Sequence, residues 1–573
     1  MIIVDFMYLA IFIITAFASL LIALPYIHIF QLESYKIPQL FMRLREAGRH
    51  LRRKLPSWLL AILAQLVLLS ALLSTQIDGS LANGWSFPYV AFLVMAVLFL
   101  LEALWVFLSW KQMPSKKPLK YTHRVVRLCI VFVVVIIALQ FVWYVLLVII
   151  SYPVEALLTG KLSFMEYDFR LARIGLSALL FQWLLFLFLP RLLAMAAIAV
   201  QPVETAIKNW YFNDARKKLA GFTDMIKIGI TGSYGKTSAK MILATILREK
   251  YKTLATPSSY NTPMGVTKVI REQLDGSYQV FIAEMGARHV GDIAEMCRLV
   301  SPKYGLITSI GPQHLETFFT MENIIKTKYE LVEALPKDGM AFFPGDNDIC
   351  LELYRNTAGN KALFGIEQRG EPLCMSAGDV THGPRGSTFT LTGPDGNTVS
   401  CTTKLLGGHN VQNTLGCAAV AWALGLTLHE ISQGIGKVEP VEHRMQLIPT
   451  TNGVAVIDDA FNSNPAGTRA ALEVLRSFPG RKIIITPGLV ELGGSEFAEN
   501  KAFGQAMAAA VDIAILVARN GIAMKQGLEE AGFDQENIIV TGRLAEATTA
   551  LSRLIKVGDV VLFENDLPDH YEN

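Results

Sequence analysis

A glycine-rich loop followed by a Lys-Thr pair is the segment of this sequence best suited to chemistry. The loop reads Thr-Gly-Ser-Tyr-Gly-Lys-Thr-Ser over residues 231–238, and the β-branched pattern over 226–230 predicts the strand that leads into it. A helix predicted from Lys236 would turn its free backbone N–H groups and its dipole toward an anion. The Lys236 ammonium suits the β- and γ-phosphates of a nucleotide, and the Thr237 hydroxyl suits magnesium. The predicted ATP-binding residues of the loop are Gly232, Ser233, Gly235, Lys236, Thr237 and Ser238.

The loop is not a full Walker A motif, because Ile230 occupies the position of that motif's first glycine. A chance glycine turn before a helix is the competing interpretation. Three ionisable residues further along the chain, Glu284, His314 and Lys328, have ordinary structural interpretations when each is taken alone. They follow predicted strands, however, and loops after strand ends are where doubly wound sheets bind ligands. Their arrangement therefore favours one shared site.

Many short segments resemble, in chain order, motifs of the Mur ligase superfamily, the ATP-dependent ligases that add amino acids or dipeptides to peptidoglycan precursors. The resemblance covers residues 222–500 in approximate terms. Its segments are the loop at 231–238, Asn261 within 259–265, Glu284-Met285-Gly286, Gly291-Asp292-Ile293, His314 within 310–316, Lys328 within 326–331, Asn410 and Asn413 within 408–413, Arg444, and Asp459, Asn462 and Asn464 within 458–465. Residues 490–493 resemble a segment of the D-alanyl-D-alanine-adding branch.

The resemblance implies a reaction in which ATP converts a carboxylate into an acyl phosphate, and an amine then displaces the phosphate. It implies four catalytic residues, namely Lys236, Glu284, His314 and Lys328. Two magnesium ions are implied, one held by Thr237 and Glu284 and the other by His314 and Lys328. Lys328 would be carbamoylated, because a bare ammonium cannot ligate a cation.

The resemblance also implies binding roles for seven further residues. Those expected to bind ATP are Asn410, Asn413, Arg444 and Asp459, and those expected to bind substrate are Asn261, Asn462 and Asn464. Asp458 is the alternative to Asp459, which is preferred because the acid of the family lies three residues before the asparagine matched by Asn462.

From Lys227 onward, short β-branched runs alternate with helical stretches, which predicts parallel sheets flanked by helices. Strands are predicted at 226–230, 279–283, 305–309, 340–343, 454–457, 482–486, 513–517 and 560–563. The glycine- and proline-rich stretch 370–405 predicts a hairpin insert. The predicted fold class is therefore α/β, with a P-loop-type central ATPase domain at 222–443 and a Rossmann-like C-terminal domain at 444–573.

The first 200 residues contain nearly all the long apolar runs. Segments long enough to span a bilayer lie at 6–30, 57–75, 86–110, 126–151 and 174–198. Lys and Arg concentrate in the loops after the first and third segments, so the positive-inside bias predicts an external N-terminus and cytoplasmic catalytic domains at a bacterial cell membrane. We predict an α-helical, multi-pass membrane domain at 1–200 and an amphipathic linker at 201–221. Glu102 is either a functional intramembrane acid or the partner of a neighbouring helix.

The membrane segment occupies the place where these ligases usually carry a soluble domain for a UDP-sugar substrate. The expected partners are accordingly a lipid bilayer, ATP, a lipid-linked or membrane-proximal carboxylate acceptor such as a muropeptide, and an amino-acid or dipeptide amine. The acidic end at 563–569 departs from the basic Lys-Gly-Ser-like loop of the D-alanyl-D-alanine branch, which weakens the case for that dipeptide.

Two other functional classes compete with a ligase: a non-catalytic ATP-binding membrane scaffold, and a gated transporter with a ligase-like cytosolic module. A nucleic-acid partner is not indicated, since the net charge is only +3 and the soluble half has no basic stripe with interleaved aromatics. The six cysteines lack the paired spacing of zinc or redox sites.

Overall fold

The computed structural model forms two compact units, Met1–Ile207 and Lys208–Asn573. It describes residues 2–33, 35–52, 87–112, 118–159, 167–257, 260–313, 315–383, 385–448, 450, 453–461, 463–490, 492–517 and 520–565.

The described part of the first unit is helical. The helices in it are α1 (Ile2–Leu32), α2 (Ile37–Arg52), α3 (Phe87–Lys111), α4 (His123–Thr159) and α5 (Tyr167–Ala220), the last of which continues into the second unit. Small and branched side chains of α1, among them Ala18, Ile22 and Ile27, are fully buried within this unit. A polar contact lies inside the apolar packing, where Gln140 Nε2 of α4 donates to Thr15 Oγ1 at 2.6 Å.

Three described helices are long and apolar enough to cross a membrane: Ile13–Leu32, His123–Trp143 and Leu187–Ala220. They coincide in part with the predicted segments 6–30, 126–151 and 174–198. The predicted segment 57–75 lies outside the described residues, and 86–110 coincides with α3, which is not one of the three. The prediction of five spans is therefore confirmed only to the extent of three candidates. Glu102 is half-buried on α3.

The second unit contains two sheets, and the larger has nine strands in the order β2-β3-β1-β4-β5-β6-β7-β8-β9. Its strands are β1 (Ile226–Thr231), β2 (Thr253–Ala255), β3 (Val280–Glu284), β4 (Tyr304–Ile307), β5 (Met340–Pro344), β6 (Lys361–Gly365), β7 (Met375–Gly383), β8 (Gly386–Thr392) and β9 (Thr398–Thr403). Pairing is parallel from β2 to β7 and antiparallel from β7 to β9. The predicted hairpin insert is thus an extension of the main sheet.

Eight helices of the described chain accompany this sheet: α6 (Lys236–Leu247), α7 (Pro263–Glu272), α8 (Asp292–Val300), α9 (Leu315–Phe318), α10 (Met321–Glu333), α11 (Asp348–Asn356), α12 (Gly408–Ala423) and α13 (Leu428–Gly436). Apolar residues of α6 and α12, such as Ile242 and Leu415, pack with Ile228 and Ile230 of β1 in one buried core. This packing fixes α6 above the central strands, so the loop between β1 and α6 lies at the carboxyl edge of the sheet.

The smaller sheet has six strands in the order β10-β11-β15-β12-β13-β14. They are β10 (Gln446–Ile448), β11 (Ala455–Asp459), β12 (Lys482–Thr486), β13 (Ile513–Val517), β14 (Ile538–Thr541) and β15 (Val560–Glu564), with helices α14 (Pro465–Ser477), α15 (Glu496–Ala508), α16 (Gly521–Glu530) and α17 (Leu544–Leu554). Of the strand pairs described in this sheet, β10–β11 is antiparallel and the others are parallel. The last strand, β15, lies between β11 and β12 and places Glu564 opposite Asp459.

Candidate active site

The loop between β1 and α6 needs its two glycines for steric reasons. Gly235 precedes α6 with a left-handed backbone (φ +77°), and a Cβ there would lie 2.5 Å from Oδ1 of Asn413. A Cβ on Gly232 would lie 2.1 Å from Oγ1 of Thr308. Because both positions are glycine, the Thr308 hydroxyl and the side-chain amide of Asn413 on α12 can lie close to the loop.

Two side chains of the loop bind it to the segment after β4. The Ser233 hydroxyl donates to the Gly311 carbonyl at 2.8 Å, and the Gly311 N–H donates back to it at 3.1 Å. The Tyr234 hydroxyl donates to the Pro312 carbonyl. The Ser233 side chain therefore holds the loop to this segment, and its predicted role in ATP binding stays a prediction. Ser238 lies partly exposed in the first turn of α6, and His314 lies outside the described residues.

The Lys236 ammonium lies within the loop, where Nζ donates to the carbonyls of Gly232 (2.7 Å) and Ser233 (3.0 Å). Burial lowers the pKa of Lys236 to about 8; the charge of Glu284 opposes this shift, and that of Arg444 adds to it. A bound phosphate would favour the charged form of Lys236, because an adjacent anion stabilises a protonated amine.

Glu284, at the carboxyl end of β3, is the centre of the site. Parallel pairing puts it beside Ile230, directly before the loop. Its Oε1 accepts from Thr237 Oγ1 at 3.0 Å and from Asn261 Nδ2 at 3.1 Å, and its Oε2 accepts from Lys240 Nζ at 2.9 Å. Burial raises the pKa of Glu284, but the effects of Lys240, Lys236 and Asn261 together outweigh burial and hold this pKa below its usual range.

Lys240 was not predicted from the sequence. Its side chain is 0% exposed and the Glu284 side chain 1% exposed, so the two form a fully buried ion pair. The sequence feature that could have identified Lys240 is its position four residues after Lys236. Residues at this spacing lie on one face of a helix, so the two lysines face the same region.

Lys328 of α10 is also buried, with its ammonium 5.9 Å from the centre of the Phe318 ring. Burial lowers the pKa of Lys328 well below its usual value, and the charge of Lys236 lowers it further. Lys328 therefore gives up its proton more readily than an exposed lysine does.

The α12 residues lie on the other side of the loop. Asn410 Nδ2 donates to the Leu406 carbonyl at 2.9 Å, while its Oδ1 is buried without a hydrogen-bond partner among the described residues. Asn413 is buried against Gly235. The neighbouring Nδ1 of His409 is likewise buried without a partner in the described chain, and burial lowers the pKa of His409 to about 4. This helix start therefore offers both an amide oxygen and a ring nitrogen to a ligand.

Arg444 reaches the site from the junction between the two sheets. Its Nη2 donates to Thr237 Oγ1 at 3.4 Å, and its guanidinium lies 4.6 Å from the centre of the Phe461 ring. The flanking residues His443 and Met445 both have positive φ, +59° and +47°. Such backbone is unfavourable for these residue types and clusters at functional positions.

The two neighbouring aspartates have different partners: the charge of Asp459 acts on Arg444, whereas Asp458 contacts His443. Asp459 Oδ1 accepts from the Met445 N–H at 3.0 Å, and its charge helps to keep Arg444 protonated. Asp458 Oδ2 lies 2.7 Å from His443 Nδ1. Of the remaining predicted residues, Asn464 uses its side-chain oxygen to cap α14, and Asn462 lies outside the described residues.

Glu564 is a second residue that the sequence did not reveal as part of this region. It is fully buried beside Asp459 and accepts a hydrogen bond from the Ser463 hydroxyl. Burial, together with the charge of Asp459, raises the pKa of Glu564 well above its usual value. Burial also raises the pKa of Asp459 to about 6. Both carboxyls therefore hold a proton more strongly than an exposed carboxyl does.

Replacing Glu564 by glutamine is expected to stabilise the protein at pH 7.5 and not at pH 4. Carboxyls with raised pKa stabilise the folded state fully below their unfolded pKa values near 4, and this contribution is lost as pH rises through about 6. The amide cannot ionise, so we expect a gain of about 1–3 kcal/mol at pH 7.5. Denaturant unfolding of the full-length protein at both pH values measures it, with exposed Glu536→Gln as control. An equal effect at both pH values would contradict the raised pKa of Glu564.

No group of three or more His, Cys, Asp or Glu side chains is arranged to hold a metal ion in the part of the chain that the structure describes. Magnesium bound with a nucleotide takes most of its ligands from phosphate and water, and so needs few from the protein. The Thr237 hydroxyl and the Glu284 carboxylate, two hard oxygen donors 3.0 Å apart, fit that need.

Comparison with known proteins gives matches over the second unit. The model of the Mur ligase middle domain matches residues 230–421, and that of the Mur ligase glutamate ligase domain matches residues 443–564. The UDP-N-acetylmuramoyl-tripeptide–D-alanyl-D-alanine ligase of Escherichia coli is 29% identical over 334 residues, which are 58% of this chain and 73% of that enzyme. The ligase of the same name from Mycobacterium tuberculosis is 32% identical over 362 residues, covering 58% of this chain and 69% of that one.

Solved structures also match this chain. MurF from Acinetobacter baumannii superposes with a TM-score of 0.57 at 27% identity and covers 62% of this chain and 77% of its own. MurF ligase from Thermotoga maritima, solved in complex with ADP, gives 0.56 at 25% identity and covers 63% and 80%. The domain matches begin only at residue 230, after the helical first unit.

Proposed function

The chain belongs to the Mur ligase family, and from that premise we propose that it is a membrane-anchored ligase that uses ATP to join an amine to the carboxylate of a lipid-linked cell-envelope precursor. The observation that carries the proposal is the convergence of Lys236, Thr237 and Glu284 at one sheet edge, in a chain whose other unit contains apolar helices.

The reaction needs two substitutions. A carboxylate oxygen of the acceptor attacks the γ-phosphorus of ATP, and ADP leaves. The amine nitrogen then attacks the acyl carbon, inorganic phosphate leaves, and the nitrogen loses a proton. Negative charge develops on the transferred phosphoryl group, and fixed cations stabilise it best in a site that excludes water.

The described residues suit these tasks. Lys236 lies within the loop that would cradle the phosphates, and Arg444 reaches Thr237 from the other domain, so both cations converge on that position. Thr237 and Glu284 would hold a magnesium ion, which neutralises phosphate charge when bound. Asn410 and Asn413 would bind the nucleotide beside the loop, and Asn261, hydrogen-bonded to Glu284, is proposed to contact substrate.

We propose that Lys328 is carbamoylated and, with His314, holds a second magnesium ion. The lowered pKa of the buried Lys328 amine supports this proposal, because only an unprotonated amine forms an N–C bond with carbon dioxide, with loss of a proton. The product carries a carboxylate-like oxygen donor where the bare lysine has none.

Replacing Lys328 by alanine is expected to lower ligation by about 10²-fold or more, because a charge-stabilising group is lost from the site. Added acetate should restore part of the activity by supplying the missing oxygen donors. The rate of ADP formation, with and without acetate, measures the effect, and exposed Lys326→Ala on the same helix is the matched control. An unchanged rate in the Lys328 variant would exclude the carbamate.

The proposal that the acceptor is lipid-linked is based on the apolar helices of the first unit. Candidate membrane-spanning helices precede the ligase domains, where the sequence predicted that a membrane domain replaces the usual domain for a UDP-sugar. We propose that these helices, with residues 201–221 as an interfacial linker, hold the catalytic unit at the cytoplasmic face of the membrane. In this linker Trp210 is 59% exposed and lies beside Arg271, a pairing suited to lipid headgroups.

The amine donor is proposed to resemble the dipeptide added by the D-alanyl-D-alanine ligases that this chain matches, although the end of β15 weakens the case for that dipeptide itself. The end of β15 carries the buried acid Glu564 at the place where that resemblance predicts a basic loop. Asn565 is also occupied, because its Oδ1 accepts from the Ser463 N–H and its Nδ2 donates to the Gly488 carbonyl. Neither residue supplies a cation for a donor carboxylate.

A comparison of acceptors tests the proposed function. Full-length protein in lipid nanodiscs is given ATP, a panel of amines that includes D-alanyl-D-alanine, and one muropeptide in two forms, linked to UDP or to a polyprenyl diphosphate. We expect kcat/KM to be about tenfold or more higher for the lipid-linked form, since binding energy from the lipid assists the reaction. Equal rates with both forms would overturn the lipid-linked acceptor, and a short-chain lipid analogue separates recognition from co-localisation.

A further inference from the structure

We propose that Lys240 is a positioning residue that holds one carboxylate oxygen of Glu284 and thereby presents the other oxygen to a divalent cation at Thr237. This inference rests on the proposed function only in assuming that a cation binds with the nucleotide. The reaction steps proposed above do not involve Lys240 directly, and this proposal assigns a role to its buried charge.

The division of the two oxygens is visible in the contacts of Glu284. Lys240 Nζ donates to Oε2 at 2.9 Å, and no other hydrogen bond to Oε2 is seen among the described residues. Oε1 instead faces Thr237 Oγ1 at 3.0 Å and Asn261 Nδ2 at 3.1 Å. Only Oε1 therefore lies beside the hydroxyl that suits a metal ion.

Helix geometry explains how two lysines serve one site without competing. Lys236 and Lys240 are four residues apart on α6, so they lie on one face, one turn from each other. The first reaches back into the loop carbonyls, and the second reaches the strand end of β3. The neighbours of Lys240 on α6 are apolar and buried, among them Ala239, Ile242 and Leu243.

Stability alone does not account for this pair. The desolvation of two buried charges usually offsets their attraction, so apolar residues of similar size would stabilise the fold as well or better. The ion pair instead orients the Glu284 carboxylate. Without such a contact, a carboxylate can turn either oxygen, or both, toward a cation. Groups that orient a metal ligand in this way typically change metal affinity 10–100-fold when removed.

The proposal is tested by the metal dependence of ADP binding to the full-length protein. Isothermal titration calorimetry gives the Kd for ADP without metal, with Mg²⁺ and with Mn²⁺, for wild type and Lys240→Met. We expect ADP binding without metal to change less than about twofold, and the gain in affinity from metal to fall about 10–100-fold. The exposed Lys268→Met, which removes a lysine from neighbouring helix α7, should behave as wild type.

Lys240→Gln separates positioning from a contribution of charge, and it serves as the test if the methionine variant does not fold. Its amide can donate to Oε2 without carrying a charge, so positioning predicts that the metal-dependent gain stays within about threefold of wild type. A methionine variant with the full wild-type gain, or a glutamine variant that loses it, would overturn the proposal. Because ADP binding is measured without acceptor or amine, this result is independent of whether the proposed ligation occurs.

Discussion

Replacement of Lys236 by alanine is expected to abolish ATP-driven ligation, lowering kcat by about 10²–10³-fold or more. The ammonium lies within the phosphate loop, 2.7 Å from the Gly232 carbonyl, and would meet the charge that develops on the transferred phosphoryl group. Because that charge peaks in the transition state, the loss should be larger in kcat than in the KM for ATP. ADP formation and product mass, measured together, report both effects.

The protonation of Lys236 adds a second signature to this prediction. Burial lowers the pKa of Lys236 to about 8, so the free enzyme loses the cation as pH rises past this value. The kcat/KM for ATP, which reports groups of the free enzyme, should therefore fall above about pH 8. Exposed Lys268→Ala is the control. Turnover that Lys236→Ala leaves unaffected would exclude the phosphate-loop assignment.

The part of the site that sequence predicted is the part fixed by local pattern and by sheet edges. The loop at 231–238 and the strand end at Glu284 were both predictable. Parallel pairing of β1 with β3 then brings Glu284 within 3.0 Å of Thr237. A strand followed by a glycine turn and a helix is sufficient to predict that neighbourhood.

What sequence could not predict are contacts that depend on distant segments. Glu564 meets Asp459 only because the last strand inserts between β11 and β12, an order that no local pattern specifies. Lys240 looks like an interruption of an apolar helix face until Glu284, 44 residues away, is placed beside it. The ligand-binding roles predicted for Ser233 and Asn464 stay predictions. Short polar side chains also satisfy nearby backbone groups, and both residues do so here.

The hairpin insert shows the same limit at the level of the fold. The Gly- and Pro-rich composition of 370–405 indicated turns between short strands, and three strands are present there. It carried no information on where those strands pair. They extend the nine-stranded sheet through β7, which pairs parallel with β6. Pairing partners depend on edge exposure in the assembled sheet, a property that no single segment holds.

Glutamine in place of Glu284 is expected to damage both catalysis and the fold. The amide is a poor magnesium ligand compared with a carboxylate, so ligation should fall about 10²-fold or more. The change also removes the Glu284 charge from the buried ion pair with Lys240, and breaking a buried pair in this way destabilises by about 3–5 kcal/mol. Denaturant unfolding and ADP formation measure the two losses separately.

The double variant Lys240→Met/Glu284→Gln separates the two effects. Removing both charges should recover most of the lost stability, because no uncompensated ion remains, while ligation stays low because the carboxylate is absent. Exposed Glu272→Gln, whose partner Lys268 lies 3.9 Å away on the surface, should change neither quantity appreciably. A double variant as unstable as Glu284→Gln would show that Glu284 stabilises the fold through contacts other than Lys240. If Glu284→Gln alone kept full turnover, the magnesium role of this strand-end acid would be excluded, and Thr237 would have no carboxylate with which to hold the ion.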